Sequence, residues 1–445
     1  MERCYNLLVI GTGVSGSTVA MACRDAGWKV AIADNRPFGG TCALRGCHPK
    51  KILSNASEII YRCAHLRGKG LNGNISIDWQ ELIHFKKSFT DPVPSKTEET
   101  FQKMGIDSFH GTARFIDGNT MQIKDSVVRA DHIVLAAGSI PKTLNIRGEH
   151  FLTFSNHFLD LEKLPSKIVF VGGGYISFEF AHIALRAGAR VTIVHNNDNP
   201  LHHFDSDIVE KLLDASKTAG ISYLPSSPVR SIEKSGPILI VKTDKNSIEA
   251  DIVVHGAGRV PYVDDLSLDR GNVGYEGRKI IVNEYLQSIT NPSVYVIGDF
   301  HEQGLPFTPS GIMEGKIVAE NLLKGNCVKP NYSGIPQVLF TNPRLAMVGS
   351  TEVQARNENS DIEVRFQDTS NWKYTQNLGL SHSAFKLIID KNTHKLKGVH
   401  LLGQNADEVI NIFALAIRLG LTVDDLKTIV WTYPTLSSDI SYMLD

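Results

Sequence analysis

Apolar runs of four or five residues along this chain end repeatedly at a glycine. Leu7 to Ile10 runs into Gly11, Gly13 and Gly16. A stretch with helical apolar spacing follows to about Ala26, and a second apolar run ends at Asp34. This order predicts strand, turn, helix, strand. Gly11 makes the tight turn, Gly13 lets backbone approach a pyrophosphate, and Gly16 lets helix pack on strand. Asp34, 18 residues beyond Gly16, can accept hydrogen bonds from a ribose diol.

The pattern recurs in "SKIVFVGGGYISFEFAHIALRAGARVTIVHNN". Gly172 and Gly174 hold the first two glycine positions. Ser177 replaces the third, and its side chain is expected to push helix and strand slightly apart. The second strand ends in His195, Asn196 and Asn197, with no carboxylate. Two such units imply two nucleotides, one fixed and one exchanging, the layout of an enzyme that passes electrons between cofactors.

Further strand-to-glycine junctions lie at Gly138, at Gly256 and Gly258, and at Gly298 with Asp299 directly after it. An acid at the carboxyl end of a strand in a doubly wound sheet points into the ligand crevice. From about Tyr332 the texture changes to strand-like alternation, then to the helical spacing of "ADEVINIFALAIRLG". This reads as a separate α+β domain.

The chain has 445 residues and a formal net charge of −1. That charge gives no electrostatic footprint for nucleic acid. No apolar run is long enough to span a bilayer. Met1 to Tyr5 lead straight into a strand without a signal-peptide pattern, so the expectation is a cytoplasmic protein.

The 6 cysteines are too few for a disulfide framework. Two of them, Cys42 and Cys47, sit in "GGTCALRGCHPKK", behind Gly39 and Gly40 and ahead of Lys50 and Lys51. The segment from Thr41 onward looks helical. On an ideal helix, positions five apart have Cα atoms roughly 8–9 Å apart, whereas a disulfide needs about 4.4–6.8 Å. A bridge therefore requires a distorted helix start, which Gly46 and Pro49 permit, and such a bridge is easily reduced. The macrodipole and a nearby lysine favour a thiolate here. Zinc is disfavoured because His48 is the only evident further ligand, and simple core packing does not explain the setting. A redox-active pair is the expectation.

The run "GGTCALRGCHPKK" resembles the active-site signature of the FAD-dependent pyridine nucleotide–disulfide oxidoreductases, which include glutathione reductase, dihydrolipoamide dehydrogenase and mercuric reductase. The likeness extends to "VIGTGVSG", "GGGYISFE", "VYVIGDF" and "IPQVLFTNPRLAMVGSTE", and so covers essentially the whole chain. It implies an α/β fold with two Rossmann-like domains, for FAD and NAD(P)H, and a C-terminal α+β dimerisation domain. The corresponding boundaries are 1–147 for FAD, 148–264 for NAD(P)H, 265–331 completing the FAD domain, and 332–445 for dimerisation.

Residue by residue, the resemblance implies that Cys47 lies against the flavin and that the more exposed Cys42 attacks the substrate. Lys50 or Lys51 sits near the flavin and pairs with Glu179. Tyr175 covers the nicotinamide pocket, and Asp299 bonds the ribityl chain. The candidate nucleotide contacts are Gly11, Gly13, Gly16, Asp34, Gly40, Thr41, Gly138, Asp299 and Thr308, together with Gly172, Gly174, Tyr175, Asn196, His202 and Gly258. The implied protein is a homodimer whose active site is shared between subunits.

The pattern breaks at "WTYPTLSSDISYMLD". The family's disulfide reductases carry a histidine where Tyr433 stands and a glutamate where Ser438 stands; Asp439 comes one position late. That histidine, from the partner subunit, takes and returns protons. A tyrosine of pKa about 10 donates a proton but is a poor base at neutral pH. Thiol oxidation is therefore disfavoured and reductive turnover stays open. The expected acceptor is a small disulfide or related oxidised-sulfur compound. A mercuric-ion or quinone-type acceptor is the alternative, although no cysteine follows Cys327 to deliver a metal. A non-enzymatic reading is a nucleotide- and redox-sensing flavoprotein that binds a partner. Without a carboxylate at position 195 to repel a 2′-phosphate, NADPH is expected over NADH.

Overall fold

Parallel strand pairing turns the first apolar runs into the centre of a sheet. The computed structural model describes residues 3–301, 304–358 and 361–445. The chain packs as two units. One is built from Met1–Lys50, Phe85–Lys142 and Arg259–Tyr332, the other from Lys51–His84, Thr143–Gly258 and Ser333–Asp445.

In the first unit, β1 (Arg3–Ile10) lies parallel to β2 (Val30–Asp34), with Leu7 opposite Val30. On its other side β1 pairs in parallel with the strand Ser126–Leu135, which also pairs with Val294–Val296. Every strand of this centre points the same way. Gly11, Asp34, Gly138 and Gly298 therefore all fall just past, or at, the carboxyl ends of neighbouring strands, where open α/β sheets bind ligands. Leu7, Val9, Ile32, Ile133, Leu135 and Val296 fill the core below them. Burial on both faces explains their unbroken apolar runs.

The second unit repeats this plan. Lys167–Val171 sits between Arg190–Val194 and Ile252–His255, all parallel. The same unit holds a five-stranded sheet built from the segment after Gln337, whose pairings are antiparallel. The helix Ala406–Leu419 buries Val409, Ile410 and Phe413 in the core of that segment. Among the described residues, no helix is long and apolar enough to cross a membrane.

Ser177 is accommodated by a neighbour rather than by a gap. An added Cβ on Gly16 would lie 2.1 Å from the Gly11 oxygen, so the first turn tolerates only glycine there. At the matching place Ser177 is fully buried, and a Cβ on Gly256 would lie 2.0 Å from its Oγ. Gly256, at the end of the adjacent strand, thus supplies the room that the missing third glycine would have supplied.

This contact is testable. Gly256→Ala should destabilise the protein by about 1–3 kcal/mol through overpacking. Adding Ser177→Gly should restore at least half of the loss in thermal midpoint. Independent effects of the two changes, read from the double-mutant cycle, would contradict the contact.

Candidate active site

In the first unit, α1 (Val14–Asp25) starts directly after the glycine turn. Gly11 has φ +114°, and a Cβ there would lie 2.2 Å from the Ala136 oxygen. The Thr12 N–H and hydroxyl both donate to Asp34 Oδ2, at 2.8 and 2.7 Å. Asp34 Oδ1 accepts the Arg36 N–H at 3.0 Å. The carboxylate expected to face a ribose therefore also closes the turn. Gly40 comes so close that its added Cβ would lie 2.3 Å from Gly13 Cα. Gly258, in the second unit, has positive φ; in the first unit so do Gly138 and Gly298, and a Cβ on Gly138 would meet nothing within 4 Å. This is a backbone-lined cradle, bare of side chains, of the kind a dinucleotide requires.

Asp299 follows Gly298 and is held by two residues that the sequence reading missed. Ser139 Oγ donates to Asp299 Oδ2 at 2.6 Å, and Arg259 Nε donates to Ser139 Oγ at 2.9 Å. Each follows one of the strand-end glycines already singled out, Gly138 and Gly258, which was the available signal. Glu314, buried inside a helix, accepts the Gly298 N–H at 2.6 Å and the Tyr332 hydroxyl at 2.9 Å. It fixes the turn that presents Asp299. A buried carboxylate on an apolar helix face was its signal.

The expected single helix around the cysteines is two. α2 (Gly40–Arg45) ends at Gly46, whose φ is −141° and ψ −112°, and α3 (Cys47–Leu66) begins at once. An added Cβ on Gly46 would lie 2.9 Å from the Thr41 oxygen, so the break is built around glycine. Pro49 sits in the first turn of α3, where its missing N–H costs nothing. The break brings the two cysteines together as a dithiol. Cys42 pairs with Cys47, and this hydrogen bond, with burial, holds the Cys42 thiol well above the ordinary range. Thr308, first residue of the helix Thr308–Lys324, places its Oγ1 3.5 Å from Cys47 Sγ.

Cys47 is exposed and Cys42 half-buried. Cys47 opens the first turn of α3, while Cys42 packs within the short helix that precedes it. Thr41 is exposed and Gly40 buried.

Lys50 lies in the first turn of α3. The next residue, Lys51, has Nζ 3.8 Å from Asp407 Oδ2 and 4.3 Å from the centre of the Phe340 ring.

In the second unit, Gly172 has φ +108°, and a Cβ there would lie 2.5 Å from Ala257 Cα. Gly174 precedes the helix Tyr175–Arg186. Tyr175, its first residue, is 50% exposed. Glu179 is buried on the same helix, and its Oε1 accepts the Phe340 N–H at 2.9 Å. His195 Nδ1 accepts the Gly173 N–H at 3.0 Å. Asn196 and His202 are exposed beyond the strand end.

Tyr433 is 73% exposed on the C-terminal segment. Ser438, in the expected glutamate's place, caps the short helix Leu436–Asp439 with Thr435. Asp439 is buried, and burial pushes its carboxyl up to about 6.

Comparison with known proteins gives the family. Residues 5–315 match the model of the pyridine nucleotide-disulphide oxidoreductases, and residues 335–444 match the dimerisation domain of the same family. The chain is 31% identical over 459 residues to a glutathione reductase of Nostoc sp., covering 99% of both proteins. It is 29% identical to a mercuric reductase of Lysinibacillus sphaericus, covering 99% of this chain and 82% of that protein. Among solved structures, it resembles a Cu(II) complex of a variant of the HOCl-induced flavoprotein disulfide reductase RclA from Escherichia coli. That match has a TM-score of 0.90 at 25% identity and covers 100% of this chain and 99% of the other. With the glycine cradle, the paired thiols and matches over both segments, the chain belongs to the pyridine nucleotide–disulfide oxidoreductases, as a flavoprotein enzyme with a dimerisation domain.

Proposed function

We propose that this chain forms a homodimer in which NAD(P)H provides two electrons for the reduction of a small disulfide, or a related oxidised-sulfur acceptor, through Cys42 and Cys47. The observation that carries this reading is the Cys42–Cys47 hydrogen bond beside Thr308, which puts the two sulfurs in direct contact at a helix start. FAD, when bound, supplies the two-electron relay between nicotinamide and sulfur. The residues suited to hold it are Gly11, Gly13, Gly16, Asp34, Gly40, Thr41, Gly138, Asp299 and Thr308. Asp299 is oriented for this by Ser139 and Arg259.

The chemistry at sulfur balances as follows. With Cys47 as the thiolate left by hydride reduction, the Cys42 thiol passes its proton to Cys47, and Cys42 sulfur attacks one sulfur of the acceptor. A bond forms between Cys42 and that sulfur while the acceptor's S–S bond breaks. The hydroxyl of the partner subunit's Tyr433 protonates the departing thiolate and regains its proton from water. Cys47 then loses its proton to solvent and attacks Cys42, closing the 42–47 disulfide and releasing the second thiolate. One hydride equivalent from NAD(P)H returns the pair to one thiol and one thiolate, so one nicotinamide is oxidised for each disulfide reduced.

Lys51 binds Asp407 and the Phe340 ring, and Lys50 or Lys51 is the lysine near the flavin. Glu179 is anchored through the Phe340 N–H. Tyr175, at the exposed start of its helix, is suited to gate the nicotinamide pocket formed with Gly172, Gly174, Asn196, His202 and Gly258. NADPH is favoured because His195 stands where an acid would repel its 2′-phosphate. The four proposed domains keep the bounds 1–147, 148–264, 265–331 and 332–445. Thiol-based turnover suits a reducing compartment, and the cytoplasm is the place we assign.

A second reading takes a thiophilic metal ion as substrate of the same two sulfurs. The relatives named as mercuric reductase and as a Cu(II) complex support it.

Two measurements test the sulfur route. Cys42→Ser should lower NADPH-dependent turnover of a disulfide such as glutathione disulfide by more than about 10³-fold, a loss of the nucleophile itself. NADPH should still bleach the flavin absorbance of that variant, and Cys47→Ser should remove the long-wavelength thiolate-to-flavin band. Full acceptor turnover by Cys42→Ser would place the chemistry directly on the flavin.

The role of Tyr433 predicts opposite outcomes for two substitutions. Tyr433→Phe should slow disulfide reduction by about 10–100-fold. Tyr433→His should raise thiol oxidation by about 10²-fold and introduce a pH dependence near pH 6.5, where imidazole titrates. Equal rates for all three proteins across pH 6–9 would remove Tyr433 from the proton path.

A further inference from the structure

We infer that Arg186, Tyr61 and His65, with Lys69 and His382 at the rim, form a binding site for a phosphate group, free or esterified. All of these residues belong to the second unit. None takes part in the nucleotide or sulfur chemistry proposed above.

Arg186 closes the helix Tyr175–Arg186. An arginine in a last turn ordinarily bonds the free carbonyls there. This one does not: its Nε is buried and has no hydrogen-bond partner among the described residues. The guanidinium carbon sits 5.3 Å from the centre of the Tyr61 ring. Tyr61, on α3, is 3% exposed, and its hydroxyl is also buried without a partner. Two donors are thus unpaired on one stacked pair of side chains. Native interiors rarely leave even one such group unpaired.

His65 lies one turn further along α3, with its ring centre 4.4 Å from that of Tyr61. Its Nδ1 donates to the Tyr61 oxygen at 2.9 Å, because a carbonyl only accepts. Nε2 is left for a ligand, and a bound dianion would favour a proton there. Lys69 Nζ donates to the Gly379 oxygen at 3.4 Å. A Cβ on Gly379 would lie 2.8 Å from the His65 oxygen and 3.1 Å from Lys69 Nζ, so the missing side chain lets the lysine close on this end of α3. Arg186, His65 and His382 are half-buried and Lys69 is exposed. The cluster therefore has a dry floor and an open mouth.

The cluster holds more positive charge than its surroundings offset. Asp214, itself 69% exposed, is the one carboxylate paired with it among the described residues, through His382 Nε2 at 3.4 Å. The one acid of α3, Glu58, is taken up by Arg344 and Gln404. Burial, followed by the charge of Arg186, holds His182 below the ordinary histidine range. Burial, followed by Arg186, His382 and Lys69, does the same to His65. Burial also pulls the Arg186 pKa down, and no carboxylate opposes it.

The shape of the donor set selects the anion. Arg186, Tyr61 and Lys69 arrive from the end of one helix, the side of another and the loop beyond it. Donors from several directions suit the tetrahedral oxygens of phosphate better than a planar carboxylate. A guanidinium is the side chain that best matches two of those oxygens at once.

The experiment uses the full-length flavin-loaded protein. It is titrated calorimetrically with inorganic phosphate and with methyl phosphate, with chloride holding the ionic strength constant. Saturating NADP+ blocks the nicotinamide site. One equivalent per chain should bind. Arg186→Met keeps the stem against Tyr61 and should weaken binding by about 10–100-fold, the scale of a lost hydrogen bond to a charged group. Tyr61→Phe keeps the ring and loses the hydroxyl, and should weaken binding by about tenfold. Without phosphate its thermal midpoint should equal or exceed that of the parent, since an unpaired buried group is gone. NADPH-dependent turnover without phosphate should stay at the parent rate in both variants. Equal affinity for the two ligands assigns the free ion, and tighter methyl phosphate assigns an ester. No binding, a response that chloride alone reproduces, or affinity unchanged in both variants would overturn the proposal. A lower phosphate-free midpoint for Tyr61→Phe would overturn it as well, by showing that the hydroxyl already has a partner.

Discussion

Thr12 and Gly173 each present a backbone N–H at the mouth of a parallel sheet, and in both cases the side chain at the end of the next strand accepts it. Such a donor, left unpaired when the turn is covered, costs about 1–3 kcal/mol. The acceptor therefore cannot be discarded, but its chemistry can change. A carboxylate in the first unit closes the turn and, on the proposed reading, keeps a negative edge toward a ribose. An imidazole in the second closes the turn and removes that edge. On the proposed reading, fold and nucleotide choice are coupled through one hydrogen bond. A substitution made to alter the choice acts on the turn as well.

Close backbone approach imposes the second constraint. Gly13 and Gly40 come together so tightly that neither turn nor loop has space for a methyl group at position 40. The loop that begins at Gly40 is the one that carries the cysteines. Its break at Gly46 lets Cys42 and Cys47 pair across two helices, where one regular helix would hold them apart. The position of the sulfurs therefore depends on how closely the cysteine loop packs on the dinucleotide turn. Thr308, arriving from a distant helix, then places a hydroxyl beside Cys47.

Features set by neighbours in sequence were legible without coordinates. The two strand–glycine–helix–strand units, the acid after Gly298 and the helical and strand textures beyond Tyr332 all follow local periodicity. The helix break at Gly46 was legible only as an irregularity, because sequence shows that a distortion is allowed, not where the backbone turns. The support of Asp299 was hidden for a different reason. Ser139 is 160 residues from Asp299 in the chain, and Arg259 is 120 from Ser139. Only the order of strands in the sheet brings them together. The same holds for Ser177, whose buried side chain fits because Gly256, on another strand, has none. His195 was read by what it lacks, a carboxylate, and its positive role as turn acceptor needed the geometry.

On the proposed mechanism, the missing C-terminal histidine is less damaging in one direction than in the other. When electrons arrive from NAD(P)H, breaking the 42–47 bond generates a thiolate directly, and the Cys42 thiol stands in hydrogen-bond contact with Cys47. Cys42 can become nucleophilic by moving that proton to its neighbour, so no outside base is required. The departing thiolate needs only a donor, and a tyrosine hydroxyl is one. In reverse, a substrate thiol of pKa about 8.5 must lose its proton before it can attack, and a phenol of pKa about 10 does not take it at neutral pH. Exchanging imidazole for phenol thus preserves the donor half of acid–base catalysis and removes the acceptor half. It biases a family of reversible electron carriers toward reduction of the acceptor.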